Sequence, residues 1–170
     1  MTSQANRRYF IDSVRYWVGH DTKIVVDNDR TNEKECEDEQ KAIDDIEKEL
    51  SVDIPRFLYR PEGLEFKDYN ISKDFEYALL QYDYNDTIMT LYINKYDKET
   101  KSTGASLDGK EIETIKLPEG EASIQVKRIM AKGDKKASYV AYWNNSTEFY
   151  QIESQMEEKE FIKLIKNIKF

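Results

Sequence analysis

Nucleophilic catalysis in this chain would depend on His20 or Cys36. They are the single histidine and the single cysteine among 170 residues, so the usual pairs of nucleophile and base must include one of them. Cys36 stands among Glu35, Glu37 and Asp38, and neighbouring negative charge raises the pKa of a thiol. His20 follows a predicted helix end, where a cationic side chain suits the helix dipole. We therefore predict that the protein is not an enzyme, with no catalytic residues and no cofactor.

An acidic segment over residues 27–40 has a pattern that is typical of a metal site. Oxygen-bearing side chains alternate from Asp27 to Glu33, as they do in calcium-binding loops. The sixth position of such a loop holds Asn32 instead of glycine, and the twelfth holds Asp38 instead of glutamate. We therefore interpret the segment as a solvated acidic loop without a metal, with calcium binding as the alternative.

A β-hairpin is predicted over residues 75–96, around a two-residue turn that begins at Asn85. The segments on both sides of this turn are rich in β-forming residues. The turn fixes the register, because Tyr84 must then oppose Thr87. The pairs that follow are Ala78 with Ile93, Leu80 with Leu91, Tyr82 with Met89, Leu79 with Tyr92, and a charge pair of Glu76 with Lys95.

Four aromatic side chains on one face of this hairpin form a candidate apolar binding surface. A sheet with one wet face does not need apolar residues on both faces, so something must cover the second face in part. Either a ligand binds to these rings, or the first predicted helix packs over them as core. The four residues are Phe75, Tyr77, Tyr92 and Tyr96.

The charge pattern argues against nucleic acid as a partner. The net charge is -8, and eleven acidic and four basic side chains place -7 of it within residues 27–50. The remainder is near neutral and has no basic stripe that would follow a phosphate backbone. No apolar run approaches the roughly 18 residues that a membrane-spanning helix needs, so we predict that the chain as given is soluble.

Amphipathic periodicity predicts helices toward both ends of the chain. The first covers residues 6–18, and the second covers residues 41–50. A C-terminal helix carries apolar side chains at i, i+3, i+4 and i+7, which we expect to pack on a sheet. Ser154 and Glu157 have the spacing of a capping box at its start. The apolar residues of this helix are Phe161, Leu164, Ile165 and Ile168.

The β-like segments between these helices predict the fold class. Their regular spacing and short turns are typical of an antiparallel meander. We therefore predict an α+β fold, in which N-terminal helices and a C-terminal amphipathic helix pack on a sheet of about seven strands. All 170 residues form one domain, with a helical and acidic part over residues 1–52 and the sheet and last helix over 53–170. The main predicted strands are residues 56–59, 64–71, 75–85, 86–96, 110–117, 121–131, 138–143 and 148–153.

A series of short motifs extends from Ile54 to the C-terminal helix. It begins with Ile-Pro-Arg-Phe-Leu-Tyr-Arg-Pro-Glu-Gly, which ends at Gly63, and continues with the β-rich hairpin. Trp143 then precedes a polar turn, Tyr150 follows it, and a Glu/Lys-rich helix closes the series. Over residues 53–170 this order resembles the bacterial domain-of-unknown-function family 4367.

The resemblance implies a fold and a setting. The fold is a curved antiparallel sheet, similar to those of lipoprotein carriers and RseB-like sigma regulators. The setting is the outer part of a membrane-anchored Gram-positive protein, in some cases linked to an anti-sigma factor. The family has no established catalytic residues, so none is transferred to this chain.

These expectations combine into a prediction of function. We predict a non-enzymatic extracytoplasmic sensing or interaction domain, which binds a protein, peptide or lipid-like ligand on its sheet. The alternative is a carrier that holds an apolar molecule inside the curved sheet. Membrane anchoring would require a segment that this sequence does not contain.

Overall fold

The computed structural model describes residues 32–95, 109–117 and 122–170, with side chains from residue 37 onward. The first predicted helix, over residues 6–18, lies outside these ranges, and so does His20. Two helices and nine strands are described, and seven of the strands form one antiparallel sheet. The predicted α+β fold, with a curved sheet of about seven strands, is confirmed.

Helix α1 spans Asn32–Leu50 and begins well before its predicted start. The interpretation of residues 27–40 as a loop is therefore wrong from Asn32 onward. Acidic side chains are favourable near the positive end of the helix dipole, so the charge that indicated a loop is compatible with the first turns of a helix. The apolar side chains Ile43, Ile46 and Leu50, which give α1 its amphipathic pattern, are buried. Beyond the helix, Ser51 has a φ of 53°, a left-handed conformation that is common where helices end.

Strands β3, Tyr77–Tyr84, and β4, Thr87–Lys95, have the register that the turn predicts. Tyr84 opposes Thr87, and Asn85 has a φ of 51°, which asparagine tolerates better than most residues. The turn chemistry therefore sets the faces of both strands. The confirmed pairs are Ala78 with Ile93, Leu79 with Tyr92, Leu80 with Leu91, and Tyr82 with Met89.

The predicted charge pair between Glu76 and Lys95 is not formed. Lys95 Nζ donates instead to the backbone oxygen of Leu50 at 3.2 Å. Glu76 lies in the turn before β3, and its backbone oxygen accepts from the Lys95 N–H at 2.9 Å. The carbonyl groups in the last turn of a helix lack helical partners and attract cations, so Lys95 links the sheet to the end of α1.

The sheet consists of two meanders that meet in its middle. The first contains β2, Leu64–Ser72, followed by β3 and β4. The second contains β5, Lys110–Lys116; β6, Ser123–Ile129; β7, Ser138–Asn144; and β8, Glu148–Ser154. The strand order is β2-β3-β4-β8-β7-β6-β5, so the last strand of the second meander lies next to β4. Six antiparallel residue pairs between β4 and β8 join the two halves.

Helix α2, Glu158–Lys166, packs on the same face of the sheet as α1. Its side chains Phe161, Leu164 and Ile165 are at most 1 % exposed, which confirms the predicted packing of this stripe. The predicted capping box is not formed, because Ser154 still belongs to β8 and α2 begins after Glu157 without a side-chain cap.

Two short strands form a separate ribbon beside the sheet. Ile168 does not continue α2 but begins β9, Ile168–Lys169, which pairs antiparallel with β1, Arg56–Phe57. Leu58 extends this contact, because its N–H donates to the backbone oxygen of Asn167 at 2.9 Å. The segment before the sheet is therefore held by the segment after the last helix.

A buried carboxylate connects α1 to the sheet. Glu39 is 7 % exposed and accepts hydrogen bonds from Arg60 Nη2 at 2.5 Å and from the Tyr82 hydroxyl at 2.8 Å. Burial, reinforced by the negative charge of Glu39, raises the pKa of Tyr82 well above its ordinary value. Loss of one partner would leave a buried polar group unsatisfied, at a cost of roughly 1–3 kcal/mol.

Replacing Leu164 with alanine is expected to lower the free energy of unfolding by about 2–5 kcal/mol, because it leaves a cavity under α2. Urea unfolding followed by circular dichroism measures this change. Lys159→Ala is the matched control, since Lys159 is exposed on the same helix, and its effect should stay within about 0.5 kcal/mol. Equal losses in the two variants would contradict the packing of α2 on the sheet.

Candidate binding groove

The four predicted aromatic site residues do not form one open surface. Tyr77 and Tyr92 stack with ring centroids 5.8 Å apart, but they are only 3 % and 9 % exposed. Phe75 is 64 % exposed in the turn before β3, and Tyr96 lies outside the described residues. The structure therefore brings together two of the four rings and separates Phe75 from them. Ligand binding by this set stays a prediction.

Tyr77 and Tyr92 belong to the face of the sheet that is opposite α1 and α2. Side chains alternate along a strand, and the neighbouring positions Ala78 and Ile93 are part of the core beneath the helices. Leu79 completes a small second cluster with the two rings. This face is therefore apolar and buried where the two tyrosines lie.

The same face contains a buried acidic side chain. Glu153 on β8 is 8 % exposed and lies between its pairing partners Thr90 and Val140, which are 3 % and 0 % exposed. Burial raises the pKa of Glu153 to about 7, because an apolar environment disfavours the charged carboxylate. This carboxyl group therefore changes from its neutral to its charged form as the pH rises through about 7.

The candidate residues of the N-terminal part are only partly described. His20 and residues 27–31 of the candidate calcium segment lie outside the described ranges, and Cys36 lies in α1 at a position whose side chain is not described. From Asn32 the calcium segment is helical. Among the described residues, no group of three His, Cys, Asp or Glu side chains is placed to hold a metal ion. Neither described helix is long and apolar enough to cross a membrane.

A groove of about 770 Å³ lies at the end of the sheet that is next to the β1–β9 ribbon. Its volume falls in the range of ligand pockets in proteins. It is lined by residues of the ribbon, of the turn between β7 and β8, and of the segments that flank β5 and β6. The lining residues are Asp53, Leu58, Leu117, Ala122, Trp143, Asn144, Asn145, Ser146, Lys166, Asn167, Ile168, Lys169 and Phe170.

Aromatic rings form one wall of this groove. Trp143 stacks on Tyr150 with ring centroids 5.1 Å apart and an interplanar angle of 6°. The ring of Phe170 lies edge-on to both, at 6.2 Å from Trp143 and 5.3 Å from Tyr150. Trp143 is 3 % exposed, and its indole N–H is the one fully buried side-chain polar group without a hydrogen-bond partner in the described part of the chain.

Hydrogen bonds fix the turn that borders the aromatic wall. Asn145 Oδ1 accepts from the backbone N–H groups of Thr147 at 3.0 Å and Glu148 at 2.7 Å. The Tyr150 hydroxyl donates to the backbone oxygen of Asp53 at 2.9 Å, which ties the segment before β1 to β8. Burial raises the pKa of this hydroxyl, so it remains a donor. Hydrogen bonds and ring stacking therefore hold this wall of the groove in place.

The rim of the groove is polar and carries charges of both signs. Lys166 forms an ion pair with Glu113 on β5 at 2.5 Å. Lys169 and Asp53 are exposed at the rim. Two apolar side chains interrupt this rim, because Leu58 is 69 % exposed and Phe170 is 41 % exposed. A polar rim around exposed apolar groups is typical of binding sites.

Sequence reasoning did not find this groove. The sequence placed Leu58, Trp143 and Tyr150 in predicted strands and family motifs without joining them in a site, and Phe170 was not singled out. The residues come from four separate segments that meet only when β9 pairs with β1 and β8 pairs with β7. The one local signal was the aromatic pair on either side of the polar turn, whose opposed positions imply ring contact.

A family model described as a domain of unknown function (DUF4367) matches residues 54–168, which is more than half of the chain. The chain belongs to this family. The predicted resemblance is thereby confirmed. The DUF4367 match includes the seven-stranded sheet, α2 and most of the groove, but it excludes α1, Asp53, Lys169 and Phe170. Comparisons with curated proteins and with solved structures gave no match.

Replacing Glu153 with glutamine is expected to stabilise this DUF4367 domain more at pH 8 than at pH 5. The folded-state pKa of about 7 lies above the ordinary glutamate value of 4.5, so the stability that wild-type Glu153 contributes is lost as the pH rises through 7. Glutamine carries no charge to desolvate, and the gain at pH 8 should be roughly 1–3 kcal/mol.

Urea unfolding of both proteins at the two pH values measures this difference. Glu65→Gln is the control, since Glu65 is exposed on the edge strand β2 and its replacement should preserve the wild-type pH dependence. An equal effect of Glu153→Gln at pH 5 and pH 8 would contradict the buried position of the carboxyl group.

Proposed function

We propose that this chain is a non-enzymatic sensing or interaction domain that binds its ligand in the groove beside Trp143. The observation that carries the proposal is the combination of a concave site with two well-exposed apolar side chains, Leu58 and Phe170. Covering these side chains removes apolar surface from water, which favours binding. The packed aromatic wall is preorganised, so little ordering is required of this side of the site.

The non-catalytic part of the proposal is supported by the sequence. Common nucleophile and base pairs need histidine or cysteine, and the chain has one of each. The side chains at the groove rim are amides, lysines, a serine and an aspartate, without a histidine or a cysteine among them. Such groups fix the orientation of a ligand through hydrogen bonds and charge.

The extracytoplasmic setting is supported by the family resemblance. Similar domains form the outer parts of membrane-anchored Gram-positive proteins, some of which are linked to anti-sigma factors. In that setting, occupancy of the groove would report the state of the envelope to a regulator, through a membrane anchor supplied by residues beyond this sequence.

A carrier for an apolar molecule is the second candidate. The volume and apolar wall of the groove favour it. The interior of the curved sheet does not, because Phe161, Leu164 and Ile165 fill the space beneath α2 and leave these side chains at most 1 % exposed. A carried molecule would therefore bind in the groove and not within the sheet.

Photo-crosslinking in cells of the native host distinguishes the two candidates. Leu58 in the full-length protein is replaced by benzoylphenylalanine, and adducts are identified by mass spectrometry. A protein or peptide adduct is expected for an interaction domain, and a lipid adduct is expected for a carrier. The same amino acid at Glu65 is the control, because this exposed residue lies outside the groove lining. Adducts at position 58 that are no more abundant than those at 65 would overturn the proposal.

Protease treatment of intact protoplasts tests the setting. If the domain lies outside the membrane, added protease should remove it while a cytoplasmic marker protein stays intact. Lysed protoplasts are the control, in which both proteins are degraded. Protection of the domain in intact protoplasts would contradict an extracytoplasmic position.

A further inference from the structure

We infer that the groove binds an extended peptide, which pairs as an additional strand with the free edge of β9 and inserts an apolar side chain against the Leu58, Trp143 and Phe170 wall. This inference rests on the proposed function and specifies the partner as a peptide segment of a protein. It requires a strand edge with available backbone groups, an apolar contact site beside that edge, and access from the groove.

The strand edge is provided by the two-stranded ribbon. β9 pairs with β1 on one side and has no second strand partner among the described residues. Hydrogen-bonded and non-hydrogen-bonded pairs alternate along an antiparallel ladder. The Leu58 N–H bonds to Asn167, so the next pair, Phe57 with Ile168, is of the non-hydrogen-bonded type. The backbone N–H and C=O of Ile168 therefore point away from β1.

The groove runs along this edge. Successive side chains of a strand point to opposite faces, so a cavity against one face contacts alternate residues. The groove instead contacts five consecutive residues from Lys166 to Phe170, whereas on the β1 side it contacts Leu58 but not Arg56 or Phe57. This pattern fits a cavity that borders the outer edge of β9.

The outward direction of the Ile168 backbone groups favours a peptide over a lipid. A peptide backbone matches the donor and acceptor of Ile168, as in other cases where a strand is added to a sheet edge. An acyl chain has no groups that pair with them. The amide side chains of Asn144 and Asn167 at the rim also offer both a donor and an acceptor, as peptide groups require.

The apolar contact site lies beside the edge. Leu58 and Phe170 are exposed, so covering them with an apolar side chain removes apolar surface from water and favours binding. The buried ring of Trp143 lines the same groove. The unpartnered indole N–H of Trp143 is a further donor in this wall. Because β9 is two residues long, the inserted side chain and not the ladder supplies most of the binding free energy.

The test uses the full chain and a random seven-residue peptide library displayed on phage. The strongest selected peptide is synthesised unmodified and as a series with one backbone N-methyl group at each position in turn. Within β9 only Ile168 directs its backbone groups away from β1, so affinity is expected to fall about tenfold or more at the one peptide position whose N–H pairs with Ile168 and to change little at the others. Isothermal titration calorimetry measures each affinity. Leu58→Asp should weaken binding of the unmodified peptide, and Glu65→Gln should not.

The outcomes separate this inference from the proposed function. A loss of affinity at one N-methylated position, in a peptide whose binding depends on Leu58, supports both. A peptide that needs Leu58 but tolerates N-methylation at every position overturns pairing with β9 and leaves the groove as the binding site. A peptide that binds Leu58→Asp as tightly as the wild type overturns the inference, because it binds elsewhere. Selection of no peptide, together with Leu58-dependent binding of oleate, also overturns it and favours a carrier.

Discussion

The pairing of β4 with β8 is the contact on which the whole sheet depends. Local hairpins hold each meander together. Six residue pairs between β4 and β8 join the two meanders into a single sheet, and they run from Thr90 with Glu153 to Lys95 with Glu148. The central pairs of this ladder, Leu91 with Ile152 and Ile93 with Tyr150, are fully buried under the helices. Both helices therefore have a continuous apolar surface to cover only when this ladder is formed.

The pairing of β8 with its other neighbour, β7, positions the groove. β8 holds Tyr150 opposite Trp143 on β7, and the Trp143 ring that stacks on Tyr150 lines the groove. The chain continues through α2, whose buried apolar side chains fix the position from which β9 begins. β9 then pairs with β1, and this pairing places Leu58 at the rim of the groove. Core packing and the candidate site are thus consequences of one contiguous unit, residues 138–170.

The parts of the fold that were predictable depend on short-range chemistry. The turn at Asn85 determines the β3–β4 register within two residues, and the apolar spacing of Phe161 to Ile165 determines the buried face of α2. The parts that were missed depend on contacts between distant segments. Nothing near Thr90 or Glu153 specifies that they pair, and no local pattern joins Leu58 to Trp143. The start of α1 was missed because dense acidic charge near Asn32 is typical of loops as well as of first helical turns.

The strand order also determines when the domain can fold during translation. β4 emerges from the ribosome as the edge of an incomplete sheet, and its partner β8 follows only after β5, β6 and β7 have been made. An unpaired edge with buried-type side chains such as Leu91 and Ile93 is prone to join the edge of another chain. The nascent protein therefore exposes an unpaired, aggregation-prone strand edge while about 60 further residues are synthesised. At ordinary rates of synthesis this takes several seconds.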